Sequence, residues 1–61
     1  MDDNTPYITT VEIFDVWHVN LVEWDTRSDG YQVTISKQMS SKGAAWIEAQ
    51  EWAKREGLEV R

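Results

Sequence analysis

The chain has 61 residues and no cysteine, so it has the length of one domain and no thiol for a disulfide bond or a thiolate metal site. Eleven acidic and six basic residues give a formal net charge of -5, and the single histidine, His18, excludes a metal site built from several imidazoles of one chain. Residues 1–36 contain seven of the acidic residues and one basic residue, Arg27. This part of the chain is therefore negatively charged, whereas DNA-binding surfaces are normally positively charged. We therefore expect no cofactor and no small-molecule substrate, and we regard nucleic acid as an unfavourable partner.

The first residues lack the features of a targeting segment. Met1–Asn4 is acidic where a signal peptide is basic, and no apolar run in the chain approaches the roughly 18 residues of a membrane span. We expect a cytoplasmic protein without membrane contact. Residues 1–6 are polar and end at Thr5-Pro6, which predicts a flexible N-terminal tail, and residues 7–61 are expected to form a single α+β domain.

The segment from Tyr7 to Trp24 is rich in β-branched and aromatic residues and contains no glycine or proline, which predicts extended structure. Since strands usually run about 3–10 residues, it is either two strands or one strand bent near Phe14-Asp15-Val16. The odd positions are the more apolar set and are expected to face the core: Val11, Ile13, Asp15, Trp17, Val19 and Leu21.

A loop with an Asp29-Gly30 turn signal separates this segment from a second alternating run. Residues 31–37 place Tyr31, Val33 and Ile35 on one predicted face. The two runs therefore predict a β-hairpin.

Residues 42–56 predict a helix, with Ser40 or Ser41 as the N-cap and Gly57 as its end. Three alanines at helical spacing form a flat strip that is expected to pack on Val19, Leu21, Val33 and Ile35; they are Ala45, Ala49 and Ala53. Residues 58–61 can add a short terminal strand. The predicted fold is α+β: a small antiparallel sheet of two or three strands built on the hairpin, with one C-terminal helix packed on one face.

The sequence offers no catalytic arrangement. His18 lies in a predicted strand, and no serine stands on the strained strand-to-helix turn of a nucleophile elbow. A domain of this size with one helix gives no cleft able to exclude water. We therefore expect a protein that is not an enzyme.

One predicted surface is more apolar than its position explains. A single helix covers one face of a sheet, and the other face should be polar, as Gln32, Thr34 and Ser36 are. The candidate protein-binding residues break this rule: Phe14, Val16, Val22 and Trp24 on the even strand positions, with Ile47 on the polar side of the helix. Either these residues contact another protein or a second copy of the chain, or the segment Tyr7–Phe14 folds over them. Acidic residues at the rim, Asp15, Glu23 and Asp25, would favour a basic partner surface.

Three short stretches carry a family resemblance over residues 17–61: Trp17-His18-Val19, Glu48-Ala49 with Trp52-Ala53, and Gly57 to Arg61. In this order of hairpin, alanine-rich helix and short strand the chain resembles small phage-encoded host-takeover proteins, and is similar to the short RNA polymerase inhibitors of virulent podophages. The resemblance implies a non-catalytic inhibitor of a host protein, located in the host cytoplasm. In that family, basic residues that follow the helix contribute to the contact with the target protein. In this chain Arg61 is the only basic residue after the predicted helix, so the resemblance assigns no binding site.

The hairpin followed by a helix is also similar to the arm-DNA-binding domains of tyrosine recombinases, which are basic where this chain is acidic. The expected function is therefore a protein-binding module. The alternatives are a structural homo-oligomer, such as a homodimer, and a nucleic-acid-binding domain of hairpin-plus-helix type.

Overall fold

A computed structural model describes residues 4–61, and it has an α+β fold in which one helix packs on a four-stranded sheet. The elements in chain order are β1 (Tyr7–Ile13), β2 (Val16–Asp25), β3 (Gly30–Met39), α1 (Lys42–Glu56) and β4 (Glu59–Val60). The sheet order is β3-β2-β1-β4; β2 is antiparallel to both of its neighbours, and β4 is parallel to β1. The hairpin, the helix and the short strand expected after it are confirmed. The sheet is mixed rather than antiparallel, because β4 is parallel to β1, and the helix is not the C-terminal element. The tail predicted for residues 1–6 lies in part outside the described residues.

The segment Tyr7–Trp24 is two strands joined by a two-residue turn. Phe14 and Asp15 form the turn with φ angles of 51° and 65°, and Ile13 pairs with Val16. A two-residue turn puts odd positions of β1 on the same face as even positions of β2. The odd positions therefore face the helix in β2 but not in β1, so the prediction that Val11 and Ile13 face the core is wrong.

A β-bulge also changes the predicted face of β3. Leu21 pairs with Ile35, whereas the next residue, Val22, pairs with Val33, so Thr34 is an extra residue. Tyr31 and Val33 consequently lie on the face opposite to Ile35, and the prediction that the three share one face is wrong.

The helix begins and ends where its capping residues predict. Ser41 is the N-cap, and its Oγ accepts a hydrogen bond of 3.1 Å from the backbone N–H of Ala44. Gly57 has a φ of 70° and ends the helix, after which the N–H of Leu58 donates to the carbonyl of Ala53 at 2.8 Å. This turn directs the chain back to pair as β4 beside β1.

The core lies between α1 and the face of the sheet formed by β1 and β2. Its buried residues are Ile8, Val19, Ala45, Ala49, Trp52 and Ala53. The small alanine side chains let the helix backbone approach the strands closely, and the Trp52 side chain fills the core beside them. The helix has most of its contacts with β1 and β2 and few with β3. Val33 lies on the other face and Ile35 stays half exposed, so only part of the predicted contact with the alanine strip forms.

Candidate protein-binding surface

The sheet face turned away from α1, called the open face below, has no element of the described chain packed against it. Cross-strand pairing defines its members. They are Tyr7, Thr9, Val11 and Ile13 in β1; Val16, His18, Asn20, Val22 and Trp24 in β2; Tyr31, Val33, Ser36 and Gln38 in β3; and Glu59 in β4. Apolar residues gather at the two ends of this face, and polar residues occupy its middle.

The first apolar end is the hairpin-tip patch, formed by Ile13, Phe14 and Val16. Ile13 and Val16 are cross-strand partners next to the turn, and Ile13 is 48% exposed. Phe14 occupies the turn itself and is 95% exposed, so its ring contacts almost nothing within the chain. An aromatic ring in this position presents its whole apolar surface to water or to a partner.

Phe14 also has an unfavourable backbone conformation. Its φ of 51° lies in the left-handed region, where the Cβ of an L-residue is crowded and where asparagine, aspartate and glycine are preferred. Two-residue hairpin turns with positive φ at both positions most often contain Asn-Gly or Asp-Gly, whereas this turn is Phe14-Asp15. A bulky side chain at such a position costs stability, and this residue recovers no packing energy in return.

The second apolar end is the aromatic cluster, formed by Tyr7, Trp24 and Tyr31. The ring of Tyr31 meets that of Tyr7 edge to face with centroids 5.3 Å apart, and it meets that of Trp24 at 5.2 Å. Val22 lies on β2 between the two tyrosine-bearing strands and is only 6% exposed. The tyrosines therefore close over Val22, and this part of the open face is packed by its own side chains.

Arg61 joins the aromatic cluster from the end of the chain. Its guanidinium carbon lies 4.7 Å from the ring centroid of Tyr7, and its Nε donates to Glu59 Oε1 at 2.6 Å. The Glu59 carboxylate raises the pKa of Arg61 through this hydrogen bond. The backbone of Arg61 also makes two hydrogen bonds of 2.8 Å. Its N–H donates to the Ile8 carbonyl, and its carbonyl accepts from the Thr9 hydroxyl.

The middle of the open face is polar. The Ser36 hydroxyl donates to Asn20 Oδ1 at 2.6 Å, and Asn20 is buried. The Nδ1 atom of His18 is buried without a hydrogen-bond partner among residues 4–61. A contact that covered the whole open face would have to satisfy these polar groups, whereas a contact at the hairpin-tip patch would not.

The structure divides the five predicted binding residues among three places. Phe14 and Val16 lie at the hairpin-tip patch, and Val22 and Trp24 lie at the aromatic cluster. Val22 lies six positions after Val16 along β2, a distance of roughly 20 Å at about 3.3 Å per residue. Ile47 is 63% exposed on the outer side of α1, across the sheet from the open face.

The predicted acidic rim is divided in the same way. Asp15 lies in the turn beside Phe14. Glu23 is on the helix side of β2, where its Oε1 accepts from the Thr34 hydroxyl at 2.7 Å, and Asp25 Oδ1 accepts from the Arg27 N–H at 2.9 Å. Of these three acidic residues, Asp15 alone lies beside the hairpin-tip patch.

Sequence reasoning did not identify Ile13, Tyr7, Tyr31 and Arg61 as residues of this surface. Ile13 and Tyr7 could be assigned to the open face only from the position of the two-residue turn, which determines which side chains of β1 point to each face of the sheet. Tyr31 depends on the bulge at Thr34, and Arg61 depends on the pairing of β4 with β1.

Comparisons of the chain with protein-family models, with curated proteins and with solved structures found no match. Within the described range 4–61, no helix has the length and hydrophobicity needed to cross a membrane. In the same range, no three histidine, aspartate or glutamate side chains are grouped so that they could hold a metal ion.

Proposed function

We propose that the chain is a non-enzymatic protein-binding module that inserts the hairpin-tip patch into an apolar pocket of a partner protein. The observation that carries the proposal is Phe14, an aromatic residue 95% exposed on a left-handed backbone. Neither turn formation nor packing accounts for a phenylalanine here. Residues in strained backbone regions persist where a function requires them, and a contact made by the ring supplies that function.

The hairpin presents Phe14 in a form suited to binding. The turn fixes the backbone on both sides of the residue, so a partner does not have to order a flexible loop. Complete burial of a phenylalanine side chain contributes about 1.5–3 kcal/mol, and Ile13 and Val16 extend the apolar contact. Aromatic anchors of this kind are typical hot spots of protein interfaces.

The charges near the hairpin tip define the partner's surface. Glu12 and Asp15 lie within two residues of Phe14, and the chain has a formal net charge of -5. A pocket rimmed by lysine and arginine residues would complement them and would accelerate association at low salt. Under this proposal, the resemblance to small phage-encoded host-takeover proteins gives a host protein as the partner and inhibition as the result.

The proposal is tested by affinity capture from a cell lysate with the tagged chain and two variants. Phe14→Ala removes the ring, and Ile47→Ala removes an exposed apolar side chain of similar size on the opposite side of the molecule. We expect the proteins retained by the native chain to be retained by Ile47→Ala and lost with Phe14→Ala, with circular dichroism unchanged. Equal retention by all three chains would contradict the proposal, and so would replacement of the captured protein by nucleic acid.

A further inference from the structure

The sheet has one long edge, formed by β3, beside which the described chain has no further strand. The helix lies over β1 and β2, so it does not shield this edge. Ile35 is 48% exposed although it lies on the helix side of β3, and Val33 is 54% exposed on the open face. The 10 residues of β3 therefore combine outward-pointing backbone groups with apolar side chains on both faces.

This edge lacks most of the features that usually prevent edge-to-edge association. Such features are a short strand, a proline or several charges, and β3 is 10 residues long with no proline and one charged residue, Lys37. The ammonium group of Lys37 is also held by Glu48 Oε2 at 2.7 Å. The other edge of the sheet, by contrast, carries the two-residue strand β4.

We propose that β3 pairs antiparallel with β3 of a second copy of this chain, with Thr34 opposite Ile35 of the other copy. The face pattern of β3 supports this partner and this register. The bulge places Thr34 and Ile35 on the helix side together, and the Thr34 hydroxyl confirms its side by donating to Glu23 at 2.7 Å. Moving outward from Thr34 and Ile35 in either direction, the side chains lie first on the open face, then on the helix side, then on the open face again. The order of faces is therefore the same in both directions along β3.

Antiparallel pairing of one strand with an identical strand requires a symmetric pattern of this kind, because paired residues share a face. With the bulges at the two-fold axis, Val33 meets Ser36 of the other copy on the open face. Tyr31 meets Gln38 there, and Gln32 meets Lys37 on the helix side. A bulge normally interrupts an edge, but at the centre of symmetry it leaves both arms of the strand in register.

The charges along β3 favour the same arrangement. The strand contains no acidic residue, although the chain has a formal net charge of -5, so two copies can approach here without opposing carboxylates. Asp29 precedes β3, whereas Lys42 follows its other end. Antiparallel pairing brings the acidic end of each copy beside the basic end of the other.

The resulting assembly is an eight-stranded sheet with both helices on one side. The two open faces then form one surface with a hairpin-tip patch at each of two symmetric positions. This inference is independent of the proposed function, because β3 and the hairpin tip are different surfaces and dimerisation leaves Phe14 accessible.

Sedimentation velocity over a range of protein concentrations tests the pairing. Ile35→Lys places two lysines beside the two-fold axis, and Ile47→Lys makes the same change on the outer side of α1. We expect the native chain and Ile47→Lys to form dimers, and Ile35→Lys to bind itself at least about tenfold more weakly. Val33→Lys, on the other face of β3, should act as Ile35→Lys does. A native chain that stays monomeric at every concentration would overturn the proposal, as would dimerisation of both β3 variants at native strength.

The register is tested with introduced cysteines, since the native chain has none. A chain carrying Val33→Cys and Ser36→Cys should form a covalent dimer on mild oxidation, because position 33 of each copy lies opposite position 36 of the other. Val33→Cys alone should not, because the two copies of residue 33 are about three residues apart along the strands. A covalent dimer from the single variant, or none from the double variant, would overturn the proposed register.

Discussion

Tyr7 and Tyr31 stand on strands that are not neighbours in the sheet, yet their rings meet edge to face with centroids 5.3 Å apart. Because β2 lies between their strands, the rings can meet only by leaning over it, and the residue beneath them is the buried Val22. This contact gives the open face a small core of its own, on the side of the sheet that α1 does not cover.

The tyrosine contact should be measurable as a coupling free energy. In a double-mutant cycle of Tyr7→Leu and Tyr31→Leu, we expect the two destabilisations to differ from additivity by about 0.5–1.5 kcal/mol, since edge-to-face pairs contribute that amount beyond their buried area. Urea denaturation of the four chains gives the cycle. Strict additivity would mean that the rings stabilise the fold independently of each other.

The alanine strip of α1 predicts a second stability effect. Ala49 is fully buried against the sheet, so Ala49→Leu should overpack the contact and destabilise the fold by about 1–3 kcal/mol. Gln50→Leu introduces the same side chain at the next, exposed position and should leave the melting temperature nearly unchanged. Equal melting temperatures for Ala49→Leu and the native chain would contradict the packing of this face.

The ion pair between Lys37 and Glu48 predicts a dependence of stability on pH. The hydrogen bond from the Lys37 ammonium lowers the pKa of Glu48 below its ordinary value of 4.5. The folded state therefore binds the Glu48 proton less readily than the unfolded state, and the stabilisation is present above pH 4.5 and lost as the pH falls through the lowered pKa. Both side chains are partly exposed, so the effect is small.

The measurement for this pair is the free energy of unfolding of the native chain and of Glu48→Gln between pH 7 and pH 3. The native chain should be the more stable at pH 7, and the difference should shrink below pH 4.5. Glu56→Gln, an acidic residue at the end of the same helix, is the control. A difference that grows as the pH falls would contradict the assigned pKa direction.

The elements predicted correctly from the sequence are those with local signals. Ser41 and Gly57 mark the helix ends because a hydroxyl N-cap and a left-handed glycine are determined by neighbouring residues. The Asp29-Gly30 signal correctly placed the β2–β3 loop for the same reason.

The features that sequence reasoning missed depend on strained or distant contacts. Phe14-Asp15 is an unusual sequence for a turn with two positive φ angles, so the turn could be seen only as one of two alternatives. The bulge at Thr34 moves Tyr31 and Val33 to the face opposite the predicted one, and no glycine in the strand at this point indicates a bulge. The parallel pairing of β4 joins residues about fifty positions apart, which no local pattern predicts. These misses account for the incomplete assignment of the open face.

The central claim is that Phe14 is present for a contact with a partner and at a cost to stability. Phe14→Asn tests both parts, because asparagine tolerates the left-handed conformation and forms this kind of turn readily. We expect the variant to be more stable than the native chain by about 0.5–1 kcal/mol, which raises the melting temperature by roughly 2–8 °C, and to lose the captured partner. A variant that melts lower than the native chain, or that retains the partner at native strength, would contradict the claim.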